Sequence, residues 1–415
     1  MNIFSFKTTA KRLRKLQRSC LFLILIPFGA VQGQGLPALD SIRGMLISED
    51  AIKWECTEAI QRMYNYDFRY AESIYAYLRR SYPEHPISYF LMGLSQWWRM
   101  APNIETRTEY DAKFLAYTDS AIVYGEAILD TASEGSLRSL EAAFFLAAAH
   151  GFQGRLFSER KQWTKAALAG KKALKYLQMA EGYDDLSPEL LFGTGLYNYF
   201  SIWIPENYKY LKPILWFFKK GDKALGIEQL ETVSTHAFYA RTEAQVFLMK
   251  IYDQERQMPQ AYTIGKQLME QYPNNPYIHR QYARLLYQTG RSHELEQVSR
   301  RLLAAVDSGR YGYEALSGRY ASFYLGSLYR NVYKDTTQAK LFLERSVDFS
   351  EKLGAYDMAY YWFSLAYLGE LAEQADDYDR AKAFFEKVKK HADRKHPTYA
   401  QAQAFLKQKK KKRQK

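Results

Sequence analysis

The chain has 415 residues, 47% of them hydrophobic and 25% charged, with 23 Gly and 12 Pro, a composition that excludes a disordered or collagen-like protein. The formal charge of +13 belongs to the two ends. Residues 1–35 hold six basic side chains (Lys7, Lys11, Arg12, Arg14, Lys15, Arg18) and residues 407–415 hold seven, with no acid in either stretch; the body between them balances 45 Lys and Arg against 45 Asp and Glu. Nothing in that balance supports a nucleic-acid surface over the body, and nucleic acid is not among the expected partners.

The amino terminus reads as an address. The basic stretch is followed by the apolar run Leu21-Phe-Leu-Ile-Leu-Ile-Pro-Phe-Gly-Ala-Val31 and by small residues, with Val31 and Gly33 at −3 and −1 of a cleavage site. This is the layout of a secretory signal peptide over residues 1–33. The run is shorter than the ~20 residues that span a bilayer as a helix; an uncleaved anchor is the alternative. The expected location is outside the cytoplasm, periplasmic or associated with the envelope. Cys20 precedes the apolar run, and Cys56 is then alone in the mature chain, where it is expected to be a small buried hydrophobe.

The body repeats. Tyr82-Pro-Glu-His-Pro86 returns as Tyr272-Pro-Asn-Asn-Pro276, and an Ala stands 12 residues before the first Pro in both, Ala71 and Ala261. Units of ~34 residues phased on these marks begin at 52, 86 and 242. Met92-Gly93, Leu325-Gly326 and Leu368-Gly369 then occupy positions 7 and 8, and Leu248, Tyr252, Ala381 and Phe385 fall at 7, 11, 20 and 24. Ala339 is one residue out of place, and the unit from Pro276 carries Leu295 at position 20. Small residues at 8 and 20 let two helices approach; large ones at 7, 11 and 24 fill the gap; Pro at 32 ends the unit.

Residues 137–181 read as two long helices, with Leu137, Leu140, Phe144, Ala147 and Ala148 on one apolar stripe and Ala166, Ala169, Ala173, Leu174 and Leu177 on the other. Ser187-Pro188 reads as a capped helix start. Next come Gly193-Thr-Gly195, the Pro and aromatic residues of 200–218, and Gly221-Asp222. Gly193-Thr-Gly195 lacks the third glycine of a dinucleotide fingerprint and is read as close helix packing. The seven histidines show no metal-ligand spacing, and no Gly-x-Ser-x-Gly elbow occurs.

On these residues the chain resembles the tetratricopeptide-repeat superfamily, over 52–120 and 242–393 and only loosely over 121–235. It is also similar, in the order of its Gly-rich helix, aromatic connector and Gly-Asp element, to bacterial exported repeat proteins. The resemblance implies an all-α, right-handed superhelical solenoid of helix-turn-helix repeats, behaving as one quasi-linear array. The expected divisions are the leader 1–33, N-terminal repeats 34–190, a connector within the solenoid 191–235, C-terminal repeats 236–406 and a polybasic tail 407–415.

The resemblance implies no activity and no cofactor. It implies a non-enzymatic scaffold that holds a protein or peptide partner in the concave groove lined by the first helix of each hairpin. The residues placed there are Lys250, Asp253, Tyr277, Arg280, Arg284, Tyr287, Phe323 and Arg330, with Arg and Tyr suited to anchoring a partner. The other reading is an envelope-associated assembly factor that touches membrane through Trp203, Trp216, Phe217, Phe218 and the basic tail.

Overall fold

A computed structural model describes residues 44–215 and 218–413, without the side chains of Asp184, Ile214 and 408–413. The leader 1–33, Trp216 and Phe217 lie outside the described residues, as do the side chains of nearly all of the basic tail.

In chain order the α-helices are α1 (Asp50–Tyr64), α2 (Phe68–Ser81), α3 (Pro86–Met100), α4 (Asp111–Thr131), α5 (Leu137–Glu159) and α6 (Trp163–Met179). After two short 3-10 turns come α7 (Leu191–Asn207), the brief α8 (Lys212–Leu215) and α9 (Lys223–His236). The remainder are α10 (Arg241–Gln254), α11 (Met258–Gln271), α12 (Pro276–Gln288), α13 (Ser292–Asp307), α14 (Ala315–Leu328), α15 (Thr336–Lys352), α16 (Ala359–Gln374), α17 (Tyr378–His391) and α18 (Pro397–Arg413). There is no strand among the described residues. Most helices pack chiefly on their neighbours in sequence, α7 on α9 across the brief α8, giving an all-α solenoid of helical hairpins.

The repeated Tyr-Pro-x-x-Pro segments work alike. His85 and Asn275 cap α3 and α12: Nδ1 of His85 accepts from the Ile87 N–H at 3.3 Å, and Oδ1 of Asn275 from those of Tyr277 and Ile278 at 3.0 and 3.2 Å. The following proline stands at N1, where a missing N–H costs nothing. Position 8 is small because the second helix lies against it. A Cβ at Gly369 would stand 2.9 Å from the Phe385 ring, and one at Gly326 2.7 Å from Leu343.

Five hairpins turn through three residues, the middle one left-handed: Tyr66, Lys161, Arg256, Gly290 and Asp376, with φ of 71°, 57°, 61°, 69° and 55°. In each, the N–H after that residue donates to the carbonyl five positions back, as from Asp67 to Arg62 at 2.9 Å and from Asp377 to Ala372 at 2.9 Å. This satisfies carbonyls that the ending helix leaves free.

The middle segment packs more tightly than the rest. A Cβ at Gly226 on α9 would lie 2.7 Å from the Tyr199 backbone nitrogen and 2.8 Å from the Gly195 carbonyl oxygen on α7. Only glycine fits at 226 in this crossing, a Cβ at Gly195 would press on Leu230 of α9 at 3.0 Å, and one at Gly193 would collide with Leu177 of α6, so helix packing accounts for Gly193-Thr-Gly195.

The array is not quasi-linear. The first hairpins fold across the C-terminal ones, and the described residues form one compact unit. Glu243 of α10 accepts from Tyr64 of α1 at 3.1 Å and from Trp98 Nε1 of α3 at 2.7 Å. Asn275 Nδ2 donates to the Tyr64 carbonyl at 2.9 Å, and Asn103 Nδ2 to that of Gly312 at 3.2 Å. The rings of Tyr64 and Tyr272 lie 5.2 Å apart, and those of Trp98 and Tyr277 5.9 Å. Non-neighbouring repeats are therefore coupled, which the one-dimensional picture leaves out.

Cys56 is buried among α1 and its neighbours, and burial pushes its thiol pKa up to about 12. This environment disfavours the thiolate and fits a packing role.

Candidate functional site

Where α3 and the short turn after it approach α5, α10, α12 and α14, a cleft of about 370 Å³ remains. Five of the eight expected groove residues line it: Lys250 and Asp253 from α10, and Tyr277, Arg280 and Arg284 from α12. Trp97, Arg155, Arg319 and Tyr320, which repeat phasing did not single out, complete its chemistry. Glu105 and Glu159 stand exposed at its edge.

The five are not equivalent. Arg284 is partly exposed and pairs with Asp253 at 3.0 Å. Lys250 is half-buried. Tyr277 and Arg280 are only 8% and 5% exposed, because α3 covers the face of α12 on which they lie. Arg280 donates to the Pro102 carbonyl at 2.7 Å and to Ser317 Oγ at 3.2 Å, bolting the turn after α3 to α12 and α14. Its expected place among the groove residues is corrected in one respect: it lines the cleft but is almost fully buried, with two of its N–H donors committed to the fold.

The other three expected residues lie further along, in an aromatic cluster of α12, α14 and α16. Tyr287 is half-buried and stacks on Tyr324 at 4.9 Å. Phe323 is 1% exposed beneath Tyr360 and Tyr367, which corrects its placement on the groove surface. Tyrosines from the next hairpin close over it. Arg330 lies in a π-helical turn, Tyr329–Tyr333, pairs with Glu370 and stands 4.2 Å from the centre of the Tyr367 ring.

The connector folds back on the solenoid. Trp203 is half-buried between Phe200 and Tyr208, at 6.0 and 5.8 Å. Phe218 reaches α6 beside Gly170, and Tyr197 donates to the Lys219 carbonyl at 2.5 Å. Among the described residues of this segment, Tyr208 and Tyr210 are the exposed aromatics. No helix among the described residues is long and apolar enough to cross a membrane, and none of their His, Cys, Asp and Glu side chains gather into a group of three that could hold a metal.

His279 lies behind the cleft on α12, with Nε2 3.1 Å from the Val298 carbonyl and Nδ1 3.3 Å from the Tyr313 hydroxyl. Burial pushes its pKa down to about 4; the Val298 carbonyl opposes this, while Arg301 and Arg310 add to it. An unfolded histidine titrates near ~6.5. Between those values the unfolded chain binds a proton that the folded chain refuses. The contribution of His279 is therefore full above pH ~6.5 and declines as pH falls towards ~4, by about 2–3 kcal/mol. His279→Gln is expected to flatten the acid side of the stability curve by that amount, read from urea midpoints at neutral pH and near pH ~4.5. An unchanged difference between the two pH values would exclude His279 as its source.

No family model matches the sequence, and no curated protein matches it. Among solved structures it is similar to the crystal structure of the P58(IPK) TPR domain, at 13% identity, over 86% of this chain and 99% of that one, with a TM-score of 0.23. A superposition that loose adds nothing to the hairpin geometry described above.

Proposed function

We propose that the protein is a non-enzymatic scaffold, exported to the periplasm or cell envelope, that holds a protein or peptide partner against the first helices of its hairpins. The observation that carries this reading is the cleft itself. Residues expected from repeat phasing to face the groove, Lys250, Asp253 and Arg284 among them, line it together with Trp97 and Tyr320. Tyr320 and Arg284 are partly open, and aromatic and arginine side chains of this kind anchor interfaces. The export part rests on the sequence of residues 1–33 alone.

The test is capture of partners from the envelope fraction after cross-linking, comparing the native chain with a Lys250→Gln, Arg284→Glu double variant. Both side chains are partly exposed, so the fold is expected to survive, as circular dichroism and thermal melting would check. Reproducible capture of a protein by the native chain, reduced about tenfold or more in the variant, is expected for the loss of contacts near the centre of an interface. Equal capture by both chains would remove the cleft from this reading.

A further inference from the structure

The cleft floor holds more positive charge than its own acids neutralise. Arg284 has Asp253, but among the described residues no carboxylate lies in ion-pair contact with Arg155, Lys250, Arg280 or Arg319; the buried Glu243 feels Arg155 and Lys250 only at longer range. Two of these four are deeply buried. Arg280 and Arg319 are each 5% exposed, and their guanidinium carbons stand 5.7 and 5.3 Å from the centre of one ring, Tyr320. Arg319 makes no side-chain hydrogen bond to the described residues, and its Nε is buried without a partner. Burial, together with the like charge of Arg319, disfavours the charged form of Arg280, while Tyr320, Tyr277 and Tyr66 favour it.

A buried guanidinium with an unmade hydrogen bond is costly in the empty protein. Arg319 is such a group, and Arg280 stands beside it at the same ring. With Arg155 and Lys250 in the same cleft, Asp253 already paired with Arg284, and Glu105 and Glu159 exposed at the edge, they form a ready receptor for a compact negative group. We propose that the cleft floor is an oxyanion site, in which Arg319 and the spare hydrogen-bonding capacity of Arg280 hold a carboxylate or phosphate group carried by the ligand. Arg155 and Lys250 add to the field. Tyr320, the partly exposed ring of the cleft, supplies flat surface for whatever the anion is attached to.

This inference rests on the cleft being the binding surface, and it names what the cleft recognises. It is tested without any partner, by calorimetric titration of the full chain with inorganic phosphate and, separately, with succinate, in chloride buffer of matched ionic strength. Saturable binding of one equivalent is expected, with the tighter of the two anions identifying the group. Arg319→Gln is expected to weaken it about tenfold or more, while Arg319→Lys retains part of it. If Arg319→Gln does not fold, the Lys variant and Arg155→Gln carry the comparison. No saturable binding of either anion, or binding that Arg319→Lys and Arg155→Gln leave unchanged, would overturn the oxyanion site. Partner capture that persists alongside such a result would leave the scaffold reading standing. Anion binding without any protein partner would remove the scaffold and keep the site.

Discussion

Replacing Trp98 by Ala is expected to destabilise the protein by about 4 kcal/mol. Trp98 is 1% exposed and meets three elements at once: Tyr64 of α1 at 5.1 Å, Tyr277 of α12 at 5.9 Å, and Glu243 of α10 through its Nε1 donor at 2.7 Å. Its removal opens a cavity and leaves the buried Glu243 carboxylate with only the Tyr64 hydroxyl. Burial already pushes the Glu243 pKa upward, opposed by Arg155 and by the donors from Trp98 and Tyr64. Trp98→Phe keeps much of the volume and loses the donor, and is expected to cost about 1–3 kcal/mol. Urea denaturation of the three chains checks both values. A loss below about 1 kcal/mol for Trp98→Ala would mean that the first hairpins do not close onto α10 and α12 in solution.

Glu189→Ala is expected to cost a comparable amount, about 3–5 kcal/mol. Glu189 sits just before α7, and its carboxylate accepts from three successive backbone N–H groups, Phe238, Tyr239 and Ala240, at 2.6, 3.0 and 2.9 Å. Those donors belong to the connection between α9 and α10, which has no ladder of its own. Burial raises the Glu189 pKa, and the three N–H groups pull it back. Alanine would leave all three donors without this acceptor, that of Ala240 in the interior and those of Phe238 and Tyr239 partly buried. Glu189→Gln keeps an acceptor but turns an NH₂ towards one of them, so an intermediate loss is expected. Thermal melting orders the three chains; a Glu189→Ala midpoint equal to that of the native protein would contradict this account.

The hairpins were legible in the sequence because their rules are local. Tyr-Pro-x-x-Pro marks the end of one unit and the start of the next, and glycine at positions 93, 326 and 369 marks a crossing. The unit from Pro276 fits the pattern poorly yet forms the full hairpin of α12 and α13. Leu295 is accommodated in one buried cluster with Ala283 of α12. The turns were harder to read: four of the five left-handed positions are not glycine, so no composition cue announces them.

The candidate site was half legible for the same reason. Phasing places a side chain on a helix face, which brought Lys250, Asp253 and Arg284 to the cleft. It does not say which other part of the chain covers that face. Arg280 and Phe323 are buried by α3 and by the tyrosines of α14 and α16 respectively. Arg155 and Arg319 enter the cleft only because α5 and α14 are brought beside α12, an arrangement no single repeat encodes.

The closure of α1 and α3 onto residues 243–314 also governs how the chain comes to be folded. The hydrogen bonds that make it join positions 145 to 211 residues apart. Tyr64, Trp98 and Asn103 emerge from the ribosome long before Glu243, Asn275 and Gly312 exist to receive them. The early hairpins can coil locally, but their aromatic faces stay uncovered until more than half the chain has been made. Their docking is a late event with a large entropic cost of loop closure. During that interval the nascent protein presents apolar surface that the finished one hides, and it is then most exposed to aggregation.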